Sequence, residues 1–291
     1  MSKKIAVVLL AALTLSFSAL VFGAGKRPLF ATKKIGDGVY HFRFGGTNAM
    51  FVVTDEGVVV LDTINTKVAP IYLKEIRKIT SKPIKFLVYS HPNTDHITGG
   101  EVFKREGAVF IAPEAALDRL KMLNDPEIIS PDITFKDKMS LVVGGKKIEL
   151  LHLGPSHTEG YTVMYLPQDK IITAIDIAYY RRLAFYFLPD FHPRAWLRTL
   201  REMEKMDFNL AISGHGPLVN KAEFITFADY LDDLITQVGK VYKKYRYESP
   251  AVVVPKALKE VNLDKYKDWG RYQRYRDLNI MGVLFSFSMG Y

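Results

Sequence analysis

The segment SHPNTDHITGG, residues 90–100, places His91, Asp95 and His96 within six residues. It follows a run of strand-forming residues, IKFLVYS, so the three side chains stand where a predicted strand ends. Imidazole and carboxylate together are the ligand set of zinc, and also of iron or manganese. Their types and spacing are therefore typical of a metal site at the end of a strand.

Three further potential ligands occupy similar positions. His157 lies in the loop GPSHTEG, Asp176 ends the strand KIITAI, and His215 lies in SGHGP after another strand. In open α/β sheets, sites form in the crevice at the strand ends. Polar residues collect in turns for ordinary reasons, and that reading suffices for any one of these residues alone. Their joint occurrence favours a metal centre.

The elements that must position these residues alternate between strand and helix patterns, with antiparallel hairpins mixed in. Predicted strands cover residues 38–44, 49–54, 57–63, 84–90, 108–112, 138–143, 146–153, 161–167, 170–175 and 209–213. Predicted helices cover residues 67–80, 101–107, 114–123, 194–206 and 222–245. This order predicts an α/β fold with helices outside and sheets inside. The glycine-rich stretch 45–48 reads as a hairpin loop.

Composition indicates a folded protein without the basic block that is typical of nucleic-acid binding. The 291 residues are 48% hydrophobic, enough for a sizeable core. The net charge of +9 is spread among acidic residues without a dense basic block, which argues against nucleic acid as a partner. A small molecule is the expected partner, and the oligomeric state is left open.

The N-terminus has the layout of a secretory signal peptide. Two lysines precede an apolar run, and Gly23, Ala24 and Gly25 close it. We expect a signal peptide over residues 1–25, one domain over 26–291 with a C-terminal helical extension from about 245, and a periplasmic or secreted protein. The apolar run is long for a signal peptide, so an uncleaved anchor is the alternative. After cleavage, stable membrane insertion is not expected, because no later segment is long and apolar enough to span a bilayer. The chain has no Cys, which excludes disulfides and lipid attachment at a cysteine.

The motif set resembles that of the metallo-β-lactamase-fold hydrolases. These proteins carry His-x-His-x-Asp-His after a strand, a later His, a bridging acid and a final His in a Gly-His loop. The resemblance runs from about residue 36 to about 217, and it implies an αββα four-layer sandwich. It also implies a zinc-dependent hydrolase with one or two metal ions, iron or manganese being alternatives.

The resemblance implies two ligand sets. The first is His91, Asn93 and His157; the second is Asp95, His96 and His215; Asp176 bridges them. The departure is Asn93, which stands where the family has a histidine. A neutral amide oxygen is a poor zinc ligand beside imidazole, so the first set is expected to be weak. Some zinc β-lactamases also carry Asn in this motif, at its first position, and work with one metal. By the same resemblance, Asp62 would support the site from behind its ligands.

Bound zinc lowers the pKa of water to about 7, and Asp95 would orient that water as the catalytic residue. The expected reaction is hydrolysis of a small ester, thioester, lactone or lactam, with sulfate and phosphate esters also open. Substrate contacts are expected from the loop 44–50 and from the segment 177–193, where Tyr179, Tyr180, Arg181 and Phe185 are the candidates and Arg182 stands among them. This cluster would line an apolar pocket with an anion-binding rim; packing between loop and helix explains the same aromatic cluster. Two other functions stay open: a metal-binding protein with weakened or lost catalysis because of Asn93, and a nuclease of the same fold.

Overall fold

A computed structural model describes residues 28–290 of the chain. The predicted signal peptide, residues 1–25, lies outside the described residues. Within residues 28–290, no helix combines the length and the apolar composition that crossing a bilayer requires.

The first sheet has seven strands in sequence order. They are β1 (Phe30–Lys34), β2 (Val39–Phe44), β3 (Thr47–Val53), β4 (Val58–Leu61), β5 (Ile84–Val88), β6 (Val109–Pro113) and β7 (Ile133–Phe135). Neighbours from β1 to β4 pair antiparallel, and those from β4 to β7 pair parallel. The β2–β3 hairpin is tighter than the sequence suggested, because only Gly45 and Gly46 form its turn and Thr47 already pairs with Phe44. Gly45 has a φ of 57°, a conformation that glycine adopts without steric cost.

The second sheet has six strands in the order β13-β12-β11-β10-β9-β8. They are β8 (Lys138–Val143), β9 (Lys146–Leu151), β10 (Val163–Leu166), β11 (Ile171–Ala174), β12 (Leu210–Ser213) and β13 (Val219–Asn220). Only β11 and β12 pair parallel; the remaining neighbours are antiparallel.

Eight helices complete the described chain. They are α1 (Ala69–Ile79), α2 (Thr94–Ile97), α3 (Glu101–Arg105), α4 (Leu117–Leu123), α5 (Pro193–Glu204), α6 (Lys221–Lys244), α7 (Pro250–Glu260) and α8 (Tyr272–Ser288). The short α2 carries part of the His–Asp motif. The C-terminal region, from residue 245, consists of α7, α8 and a short 3₁₀ turn, Asp264–Tyr266.

Alternation along the strands builds three apolar layers. Met50 of β3 is buried between the two sheets with Met164 of the second sheet. Its neighbour Phe51 points the other way and packs with Tyr72 of α1. On the far face of the second sheet, Ile172 packs in one cluster with residues of α5, α6, α7 and α8. Since side chains alternate between the faces of a strand, two sheets with both faces apolar need helices outside. The predicted αββα four-layer sandwich is confirmed.

Candidate metal centre

Six predicted ligands from four separate segments converge at one edge of the sandwich. The β5–α2 connection supplies His91, and α2 supplies Asp95 and His96. His157 comes from the β9–β10 connection, Asp176 follows β11, and His215 follows β12. Their donor atoms form two groups in which all atoms lie within 4.8 Å of one another: Asp95, His96, Asp176 and His215, and His91, His157 and Asp176. These groups bring together the histidines and acids that the resemblance assigned to each set, with Asp176 common to both.

Asp176 lies at the centre of the cluster. Its Oδ2 is 3.4 Å from Nε2 of His96 and of His215, and 3.9 Å from Nε2 of His91 and of His157. Its φ of 58° is left-handed, which is costly for a non-glycine residue and often marks a functional site. A Cβ on Gly214 would lie 2.1 Å from Oδ1 of Asp176, so only glycine before His215 allows this approach.

Buried nitrogens without partners indicate that the cluster is built for a cation. Nε2 of His91, Nε2 of His96 and Oδ1 of Asp176 are buried and accept or donate no hydrogen bond within the described chain. A buried polar group without a partner costs stability unless something else satisfies it. A divalent cation bound between imidazole and carboxylate would satisfy these atoms, so the residues present fit a metal.

Asp62 fixes the two histidines of the motif from behind. Its Oδ1 accepts a hydrogen bond from the backbone N–H of Ser90 (2.8 Å), and its Oδ2 accepts from Ser90 Oγ (2.7 Å). Nδ1 of His96 is 3.3 Å from the same Oδ2, and Nδ1 of His91 is 2.9 Å from Ser90 Oγ. Both rings are therefore held by Nδ1, which leaves Nε2 of each for the cluster. The supporting position that the resemblance suggested for Asp62 agrees with these contacts.

Asn93 lies beside the first group. Its Nδ2 is 3.0 Å from Nε2 of His157, and it lines the same cavity as His157. The ring of His157 also stacks on Phe191, with centroids 4.2 Å apart. Asn93 thus occupies the side of the first group where a third imidazole would complete it.

The four histidines differ in protonation. Burial lowers the pKa of His91 and His157, and neighbouring imidazoles lower that of His91 further. Burial opposes protonation of His96 and His215 as well, but the carboxylates beside them prevail. Asp176 and Asp62 raise the pKa of His96 well above its usual value, and Asp176 and Asp95 raise that of His215 to about 9.

The carboxyl groups respond in the opposite sense. Burial alone would raise the pKa of Asp176 and Asp95, but the adjacent imidazoles hold both below the ordinary range. Both groups are therefore ionised at neutral pH and able to bind a cation. Asp95 is the more accessible of the two, with 57% of its side chain exposed against 9% for Asp176.

A cavity of about 420 Å³ opens above the cluster. Asp95, His157, Asp176 and His215 form its floor, and two of the predicted substrate contacts, Tyr179 and Phe185, are in its wall. Tyr180 and Arg181 are not among the residues that line it in the described chain, which corrects the expectation for these two. Nε of Arg181 instead contacts Oε1 of Glu223 at 3.0 Å.

Several lining residues were not assigned to the site from sequence. They are Gly216, Arg271 and Tyr275, whereas Gly46, Arg182, Pro189, Asp190 and Phe191 fall within the two loops predicted to contact substrate. Arg182 sits in the aromatic segment that the sequence pointed to, whereas no local pattern distinguishes Arg271 or Tyr275. Asn48, in the predicted loop 44–50, is fully buried, and its Nδ2 donates to the carbonyls of Ser213 and Gly216 on either side of His215 (2.9 Å each).

Known proteins resemble this chain in family, sequence and structure. The family model described as "Metallo-beta-lactamase superfamily" matches residues 42–215. A type 2 metallo-beta-lactamase of Elizabethkingia meningoseptica is 27% identical over 70% of this chain and 85% of its own length. The alpha subunit of 2,4-dinitroanisole O-demethylase from Nocardioides sp. is 22% identical over 72% of this chain, and a linear primary-alkylsulfatase from Pseudomonas sp. is 24% identical over 58%. The chain spans only 65% and 41% of the lengths of these last two proteins.

Two solved structures share the fold. A metallo-beta-lactamase from Pontibacter korlensis superposes with a TM-score of 0.61 at 22% identity, covering 70% of this chain and 99% of its own. A double mutant of a sec-alkyl sulfatase gives a TM-score of 0.74 at 16% identity, covering 90% of this chain and 50% of its own. The sulfatase match therefore extends over more of the present chain than the lactamase match does.

Proposed function

The chain belongs to the metallo-beta-lactamase superfamily, and on that premise we propose that it is an exported, metal-dependent hydrolase of small molecules. The observation that carries the proposal is the convergence of two ligand groups on Asp176, with unsatisfied Nε2 atoms of His91 and His96 beside it. Zinc is the proposed metal, because the four imidazoles and two carboxylates of the two groups are ligands it commonly takes. When bound, such an ion acidifies water and polarises the bond to be cleaved.

The protein's own residues divide the remaining work. Asp95 is ionised, accessible from the cavity and 3.5 Å from Nε2 of His215, so it can orient a water molecule and accept its proton. Asp176 is held in place because the hydroxyl of Tyr179 donates to its backbone carbonyl (2.9 Å). The aromatic wall formed by Phe185, Phe191 and Tyr275 keeps bulk water from part of the cavity and packs on an apolar substrate.

For the bond that is cleaved, we propose only its chemical class. The names of the relatives concern a lactam-cleaving enzyme, an alkyl sulfatase and an O-demethylase, so acyl, sulfate and ether substrates belong in one test panel. Chromogenic lactams, carboxylic esters, thioesters, lactones, alkyl and aryl sulfates and dinitroanisole should be assayed with zinc-, iron- and manganese-loaded protein. Turnover that a chelator abolishes and metal restores would support the proposal. Tight metal binding without turnover of any substrate would overturn the hydrolase assignment.

A second candidate function is a metal-binding protein with weakened catalysis. The observation that favours it is the 3.0 Å contact between Asn93 and His157, since an amide stands where a third ligand of the first group would be. One tightly bound metal per chain is expected, at Asp95, His96, Asp176 and His215, with a second only at high metal concentration. Elemental analysis after dialysis tests this stoichiometry; two equally tight zinc ions would contradict it.

Export is proposed from the sequence alone. Protein recovered from the periplasm should begin between residues 24 and 26, because small residues cluster at 23–25. N-terminal sequencing that finds Met1 or Ser2 on the recovered protein would instead support a retained anchor.

A further inference from the structure

The cavity has a wall that lies outside the family-matched segment. Arg271 and Tyr275 line it, and both belong to the region around the start of α8, well beyond residue 215. This region is joined to the loop after β11 by backbone pairing: the N–H of Leu183 donates to the carbonyl of Gly270 (3.0 Å), and the N–H of Gly270 donates to that of Arg181 (2.8 Å). In this pairing Gly270 faces Arg182, and Arg271 follows Gly270 in sequence.

Two cations thus line one wall of the cavity. Neither the guanidinium of Arg182 nor that of Arg271 forms an ion pair with any carboxylate in residues 28–290. Nε of Arg182 is buried and has no hydrogen-bond partner there, although the guanidinium stacks on Tyr179 with 4.3 Å to the ring centroid. The adjacent Arg181 forms an ion pair with Glu223, whereas Arg182 forms none in the described chain.

The acidic groups of the cavity are already engaged. Asp95 and Asp176 belong to the ligand groups, and Asp190 contacts the guanidinium of Arg119 at 3.3 Å. With a divalent cation bound, Asp95 and Asp176 balance its charge. The positive charges of Arg182 and Arg271 then have no negative group beside them in the described chain. Arg271 is also held at a φ of 69°, an uncommon conformation for a residue with a side chain. Such outliers cluster at ligand contacts, where the surrounding structure maintains them.

We infer that Arg182 and Arg271 form an anion subsite, and that the substrate carries a carboxylate, sulfate or related oxyanion on an apolar or aromatic body. Guanidinium groups bind planar and tetrahedral oxyanions through paired N–H donors, and they are more effective where water is partly excluded. Phe185 and Tyr275 beside them, with ring centroids 6.2 Å apart, provide the apolar contact. The inference deepens the proposed function and rests on it for the identity of the bound molecule as a substrate.

Binding without turnover tests the subsite independently of hydrolysis. We would measure by calorimetry the affinity of 3-phenylpropanoate and of its neutral counterpart 3-phenylpropanol, for metal-loaded and for metal-stripped protein. The acid is expected to bind more tightly than the alcohol in both forms. Arg182→Gln and Arg271→Gln should each weaken binding of the acid by about tenfold or more. Arg181→Gln, the same change one residue away, should alter it by less than about twofold.

Several results would overturn the inference. Equal binding of acid and alcohol would do so, as would binding of the acid that requires metal and ignores both arginines. A loss in Arg181→Gln as large as in Arg182→Gln would show only a general surface charge effect. Should either glutamine variant melt early, Arg182→Lys and Arg271→Lys keep the charge and remove the paired donors. These variants are expected to bind the acid with intermediate affinity, and wild-type affinity in both would also count against the subsite.

Turnover then shows whether the anion bound by the two arginines is a remote carboxylate of the substrate or the sulfate group that is cleaved. In mono-(4-nitrophenyl) glutarate the anionic group is a carboxylate remote from the cleaved ester. In 4-nitrophenyl sulfate the anionic group is the sulfate whose ester bond is cleaved. A rise in KM for one of these in the arginine variants, with 4-nitrophenyl pentanoate unaffected, assigns the source. If the acid binds as expected and no substrate turns over, the hydrolase proposal fails and the subsite stands. If 4-nitrophenyl pentanoate is hydrolysed and the acid does not bind, the hydrolase proposal stands and the subsite fails.

Discussion

The side-chain amide of Asn93 lies 3.0 Å from Nε2 of His157, on the side of the first ligand group that faces the cavity. Replacement of Asn93 by His should therefore add a third imidazole to His91 and His157. We expect the Asn93→His variant to bind a second zinc ion with measurably higher affinity than the wild type. Competition titration with a chromogenic chelator would measure this change. Unchanged affinity would show that the side chain does not contribute to the first group.

The same variant also separates a damaged site from an adapted one. If the wild type is a two-metal hydrolase with a weakened site, turnover should rise together with second-metal affinity. If the cavity is adapted to one metal, affinity should rise while turnover falls, because the second ion would occupy space that water or substrate uses. Measurements of kcat and zinc stoichiometry on the same preparations distinguish these outcomes.

Asp95 should be indispensable for hydrolysis. Asp95→Ala removes a carboxylate from the second ligand group and the group proposed to accept a proton from water. We expect kcat to fall by at least about 10²-fold on any substrate that the wild type hydrolyses. Asp55→Ala, an exposed acid away from the cavity, is the control. Wild-type turnover in Asp95→Ala would refute the proposed mechanism.

Asp62 should affect metal affinity without touching the metal. Its carboxylate holds Ser90 and His96, and Ser90 in turn holds His91. Asp62→Asn loses one acceptor and the negative charge, so the rings lose their fixed orientation. We expect metal affinity to fall about 10- to 100-fold, the usual effect of removing such an outer partner. A wild-type affinity in this variant would mean that packing alone orients both rings.

Metal binding should release protons and weaken as pH falls. The pKa of His215, raised to about 9 by the carboxylates of Asp176 and Asp95, means that this imidazole is protonated at pH 7 before metal binds. An imidazole must lose its proton to bind a metal, so the affinity that depends on His215 falls about tenfold per pH unit below 9. Calorimetry at pH 7.5 in buffers of different ionisation enthalpy should detect proton release. Equal zinc affinity at pH 6.5 and 8.5 would contradict the assignment.

Asn279 of α8 should stabilise both the fold and the cavity wall. It is fully buried; its Nδ2 donates to the carbonyls of Ala184 (3.2 Å) and Tyr186 (2.6 Å), and its Oδ1 accepts from Tyr230. Asn279→Ala leaves these groups unsatisfied, and we expect the free energy of unfolding to drop by about 2–4 kcal/mol. Chemical denaturation would measure it, with the exposed Asn262→Ala as a control of smaller effect. A change below about 0.5 kcal/mol would show that water replaces the lost partner.

The sequence by itself predicted the candidate ligands and, through the resemblance of its motifs, the layered fold. His91, Asp95 and His96 are neighbours along the chain, and His157, Asp176 and His215 each stand at a strand end, so local pattern was enough to propose them and the resemblance divided them into two sets. The alternating strand and helix patterns likewise predict sheet covered by helices, because each apolar face must be buried, and the resemblance implied the four-layer arrangement.

The tertiary structure decided what surrounds the ligands. Arg182 and Arg271 are 89 positions apart, and only the pairing of residue 270 with the loop after β11 brings them to one wall. Arg181 forms an ion pair and Arg182 does not, because only Arg181 lies beside Glu223 of α6. The short-range pattern of a sequence contains neither fact, since such contacts depend on how distant segments pack rather than on local spacing or residue type.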